Sequence, residues 1–182
     1  RLLVLSGQQS WALETLQSFI MPDALIVGAP ANHSYFPHTA QHCQPNQASQ
    51  FLGQQHGQVV MDAFAGLSAD AIGAISGTLA GGGLFILICP TLADWPDYAD
   101  PDYARFLSAQ TSRPLCSLFL KRLVGIIQQD PDVVIVQQTQ PIPTLASILP
   151  DTPPEQKEQA SLDFAPCLNA EQAQAVTLIH KV

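Results

Sequence analysis

Residues 84–89 read LFILIC, apolar at every position, and this run limits the possible folds more than any other stretch. A strand with one wet face alternates apolar and polar residues. A strand with no polar position is buried on both sides, which points to a parallel sheet covered by helices on each face. Gly81, Gly82 and Gly83 precede the run and Pro90 closes it. Upstream, Val59, Val60 and Met61 make a second short apolar segment ending at Asp62. Between them, Ser68 suits a helix N-cap, because its hydroxyl can accept from a free N–H of the first turn. Ile72, Ile75 and Leu79 then recur at helical spacing. Residues 59–90 therefore read as strand, helix, strand, with the glycine triplet expected to end the helix, where positive φ is cheap. Gly73 and Gly77 each cost about 1 kcal/mol relative to alanine inside a helix, so close packing is the expected reason for them.

Three more strands are expected, at residues 1–6 (RLLVLS), 24–27 (ALIV) and 133–136 (VVIV). A helix carrying Trp11, Leu13, Leu16 and Ile20 follows Gly7 and stops before Pro22. Pro114 suits a first helical position. Beyond it Leu115, Leu118, Phe119, Leu123, Ile126 and Ile127 form the expected apolar stripe, with Lys121, Gln128 and Gln129 off it. The sum is an α/β fold with an open, mostly parallel five-stranded sheet flanked by helices, flavodoxin- or Rossmann-like. Residues 29–47, rich in Pro, His, Asn and Gln, read as a surface loop, and 48–52 as one helical turn. The expected division is an α/β domain over 1–140, a proline-rich linker over 141–168 and a helix over 169–182. Asn169 caps that helix, with Gln172 three residues on as in a capping box.

A chain of 182 residues, 47% of them hydrophobic, can bury a core. Its formal net charge of −8 is the wrong sign for a self-sufficient nucleic-acid binder, since phosphate affinity comes largely from Lys and Arg. Arg105, Arg113, Lys121 and Arg122 make the one plausible basic patch. Cys43, Cys89, Cys116 and Cys167 are widely spaced, with no C-x-x-C, and read as free thiols in a reducing cytoplasm. No apolar run approaches the roughly 20 residues of a membrane span, and no charged segment precedes an apolar one as in a leader. The expectation is a cytoplasmic protein without a membrane partner.

In open α/β sheets ligands gather at the carboxyl ends of the strands. Here those ends are Ser6-Gly7, Gly28, Asp62 and Cys89-Pro90. The Ser6-Gly7-Gln8-Gln9 turn could offer N–H groups to an anion. An ordinary strand-to-helix turn is the simpler reading, because neither G-x-G-x-x-G nor G-x-x-x-x-G-K-[ST] occurs. Asp62 reads as a site carboxylate or, more simply, as a cap on the following turn. His38 and His42 have the i, i+4 spacing that holds a metal on a helix, with His33 and Cys43 nearby. Pro37 and Pro45 flank them and no other ligand pattern supports a metal, so a flexible polar loop is the better reading. Asp94, Asp97, Asp100 and Asp102 lack the calcium-loop pattern and read as a solvated acidic loop. No catalytic constellation and no metal site is expected. A free-standing nucleotide- or phosphate-binding α/β protein is the alternative to a scaffold module.

Two stretches resemble one known family. They are VLSGQQSW (residues 4–11) and VVMDAFAGLSADAIGAISGTLAGGGLFILICP (residues 59–90), the latter followed by Trp95-Pro96. Together with Arg105-Phe106 and Leu120-Lys121-Arg122-Leu123, they are similar to the N-terminal domain of bacterial tRNA(Met) cytidine acetyltransferases. The resemblance covers residues 1 to about 141. It implies a non-catalytic module that precedes a helicase-like ATPase module, an acetyltransferase module and a tRNA-binding region. The parent enzyme would form N4-acetylcytidine at the wobble position of elongator tRNA(Met), using acetyl-CoA and ATP, with neither cofactor bound by this chain alone. Residues 168–176 (LNAEQAQAV) resemble the segment just before the phosphate loop of helicase ATPases. That makes Gln172 the implied adenine-binding residue, whose amide can donate to and accept from the base edge together. Lys121 and Arg122 are the implied contacts to tRNA phosphates or to the neighbouring module.

Overall fold

The computed structural model describes residues 1–106 and 117–148. Among these, six strands form one sheet: β1 (Leu2–Ser6), β2 (Leu25–Val27), β3 (Gln41–Cys43), β4 (His56–Asp62), β5 (Leu79–Cys89) and β6 (Val134–Gln137). Four α-helices accompany them: α1 (Gln9–Leu16), α2 (Ala69–Ser76), α3 (Leu118–Gln129) and α4 (Leu145–Ile148). The strand order is β3-β2-β4-β5-β1-β6, and every pairing is parallel. The expected open parallel α/β architecture is present, with six strands in place of five.

β5 organises the sheet as its sequence requires. Phe85 to Cys89 lie in register with Leu2 to Ser6 of β1, and Leu84 to Ile88 with Gln58 to Asp62 of β4. Side chains alternate between two buried faces. Val4, Leu25, Val27, Val59, Met61, Leu87 and Cys89 pack on one side beneath α2 and α3. Leu3, Leu5, Ile26, Val60, Leu84, Ile86 and Ile88 pack on the other beneath α1, joined by Ile148 of α4.

Three expectations change. The extra strand, β3, lies in the segment read as a loop. It is a three-residue edge strand beside β2 in which Cys43 alone is buried, so it carries no apolar run. The helical turn expected at 48–52 is a 3-10 helix, Pro45–Phe51. Second, α2 ends at Ser76, and the glycine triplet lies inside β5. His56 pairs with Leu79 but Gln58 pairs with Leu84, so β5 carries extra residues there. Gly82 takes a φ of 79°, and a Cβ on Gly83 would come within 2.8 Å of the Gly57 carbonyl. The glycines thus permit a bulge and a close backbone approach. Gly73 meets nothing within 4 Å, so close packing does not account for it. Ser68 takes the N-cap position, but its hydroxyl does not cap the helix.

Third, α3 turns a different face to the sheet. Leu120, Val124 and Ile127 are buried, whereas Leu118, Phe119 and Ile126 of the expected stripe are exposed. Ser117 is the cap, its hydroxyl accepting from the Leu120 N–H at 3.0 Å. The expected start at Pro114 lies outside the described residues. Ser117 is itself held by its N–H on the Pro96 carbonyl at 3.2 Å. That contact and the buried Trp95 turn fix the helix on the sheet.

Trp95 is fully buried, and among the described residues its indole N–H has no hydrogen-bond partner. Trp95→Phe removes an unpaired donor along with some contact area, so it should change stability by less than about 1.5 kcal/mol. Trp95→Ala should cost about 3–5 kcal/mol. Urea unfolding of the two variants checks this. A phenylalanine variant as unstable as the alanine one would mean that the indole N–H is satisfied.

Candidate functional site

The carboxyl ends of the strands are the first place to look, because the chain leaves neighbouring strands toward opposite faces there. After β1 it crosses to β2 through α1 on one face. After β5 it crosses to β6 through α3 on the other. A crevice should open between β1 and β5. Ser6 fills it: its buried hydroxyl donates to the Pro90 carbonyl at 3.3 Å and accepts from the Leu92 N–H at 2.9 Å. The Gly7 N–H donates to the Cys89 carbonyl at 3.1 Å. The Gln8 N–H at the start of α1 donates to the Gln138 Oε1 at 3.0 Å. A Cβ on Gly7 would lie 2.8 Å from that of Gln138. The N–H groups of Gly7 and Gln8, two of those expected to meet an anion, are therefore engaged within the chain.

A second divergence separates β2, followed by the 3-10 helix Pro30–Tyr35, from β4, followed by the turn into α2. Asp62 closes this one. Its Oδ2 accepts from Gln9 Nε2 at 2.9 Å and from Asn32 Nδ2 at 2.8 Å. Its Oδ1 accepts from the Phe64 N–H at 3.0 Å, which is the cap geometry expected from sequence. Gly28 allows the approach, since a Cβ there would sit 3.0 Å from that of Asp62. One buried carboxylate thus fastens the start of α1, the exit of β2 and the turn after β4. Burial raises the Asp62 carboxyl above its ordinary value, and the bonds from Gln9, Phe64 and Asn32 pull it partly back.

Asp100 plays a similar part beside it. It is buried, accepts from the Leu67 N–H at 3.1 and 3.2 Å and from the Asp102 N–H at 2.8 Å. It belongs to the loop read as solvated, and it organises that loop from within. Tyr98 packs edge-on against Phe64 at 5.9 Å, and burial, then Asp100 and Asp62, raise its phenol. Burial also raises the Cys43 thiol to about 11 and pushes the Cys89 thiol up, so neither presents a thiolate at neutral pH. β3 turns Cys43 into the core beneath α2 and places His42 against Phe36 on the other face, so the two do not converge. Among the described residues, no group of three His, Cys, Asp or Glu could hold a metal.

Lys121 and Arg122 are exposed on α3. Gln172, Arg113, Cys116 and Cys167 lie outside the described residues. Sequence reading missed Gln9, Asn32, Gln138 and the inward role of Asp100. Gly28 and Asp62, both at strand ends, were the available signals for the first two.

These observations define a parallel α/β module in which Ser6 and Asp62 occupy two of the strand-end crevices with contacts inside the chain. The family described as "tRNA(Met) cytidine acetyltransferase TmcA, N-terminal" matches residues 1–138, and the chain belongs to that family. It is 34% identical to a tRNA(Met) cytidine acetyltransferase TmcA of Nitrosococcus halophilus over 187 aligned residues, which cover 100% of this chain and 24% of the relative. It is 32% identical to those of Yersinia pestis and Haloferax volcanii, with 78% and 75% of this chain covered and 20% and 18% of the relatives. The chain thus spans about a quarter or less of the length of these curated relatives. Among the described residues, no helix is long and apolar enough to cross a membrane.

Folded Asp62 holds its proton to higher pH than the unfolded residue, whose ordinary value is 3.8. From there up to the raised value the folded state binds more protons, so Asp62's contribution to stability declines as pH rises. Asp62→Ala leaves three donors without their acceptor and should cost about 1–3 kcal/mol. That deficit should be larger near pH 4 than near pH 7 in paired urea titrations. A deficit growing with pH would mean that the three hydrogen bonds outweigh burial.

Proposed function

We propose that this chain is the non-catalytic N-terminal module of a tRNA(Met) cytidine acetyltransferase. The observation that carries the reading is the family match over residues 1–138, together with relatives of that name several times longer than this chain. In this reading the parent enzyme works in the cytoplasm and forms N4-acetylcytidine at the wobble position of elongator tRNA(Met), taking the acetyl group from acetyl-CoA and coupling the reaction to ATP. The α/β domain over 1–140 is a rigid platform, and 141–168 connects it to a helix over 169–182 that enters an ATPase module. Ile148, buried against the face beneath α1, would anchor the start of that connection. Gln172 is the proposed adenine contact.

Lys121 and Arg122 are proposed to meet negative groups, either tRNA phosphates or the neighbouring module. The two differ measurably. Reversing both charges in the parent enzyme lowers tRNA affinity and flattens its salt dependence by about 1–2 in log–log slope if the residues touch phosphates. An unchanged slope assigns them to the module.

The reading itself is tested by incubating the parent protein with tRNA(Met), acetyl-CoA and ATP and digesting the product to nucleosides. One acetyl group on one cytidine is expected. Gln172→Ala should raise the ATP concentration needed for half-maximal rate without changing the product. An intact native protein that ends near Val182 would overturn the reading.

A further inference from the structure

We draw no further inference here: the strongest candidate, the apolar cleft of about 330 Å³ between α2 and α3 with the exposed face of α3 beside it, carries nothing because nothing in the structure shows what covers it.

Discussion

Backbone hydrogen bonding on both sides of β5 is the constraint from which the rest of the structure follows. Its apolar half pairs in register with β1 on one side and β4 on the other. A strand paired on both edges and apolar on both faces has no surface left for water. Helices must then cover each side of the sheet, and the covering elements separate cleanly into α2 and α3 on one face and α1 and α4 on the other. The chain accordingly leaves the neighbours β1 and β5 toward opposite faces.

Folds of this kind commonly use the resulting crevices to hold ligands. Here Ser6 seals one and Asp62 seals the other, each through hydrogen bonds to segments distant in sequence. Among the described residues the buried Asp62 carboxylate has no cationic partner, and three N–H donors offset the cost of its burial. The arrangement ties together the exits of β1, β2 and β4, the same region that a binding protein would leave open.

Much of the architecture was legible in residue patterns. The unbroken run at 84–89, the shorter runs at 1–6, 24–27, 59–61 and 133–136, and the helical spacing of Leu13 and Leu16 each indicate an element by its own composition. β3 escaped because a three-residue edge strand needs one buried side chain, and Cys43 supplies it among polar neighbours. The glycine triplet misled because a helix end and a strand bulge use glycine for the same reason, freedom in φ and the lack of a Cβ. α3 misled because its sequence offers two apolar faces, and periodicity alone does not say which meets the sheet.

What the sequence determined by itself is therefore local: which segments are strands or helices, that the sheet is parallel and buried, and which family the chain resembles. These follow from side-chain periodicity and from contiguous motifs. Only the tertiary structure decided the strand order, the face that α3 buries and the meeting of Gln9, Asn32 and Asp62. Each depends on contacts between residues tens of positions apart. Their energies come from filling shared space and satisfying buried donors, and neither quantity is written in any single stretch of chain.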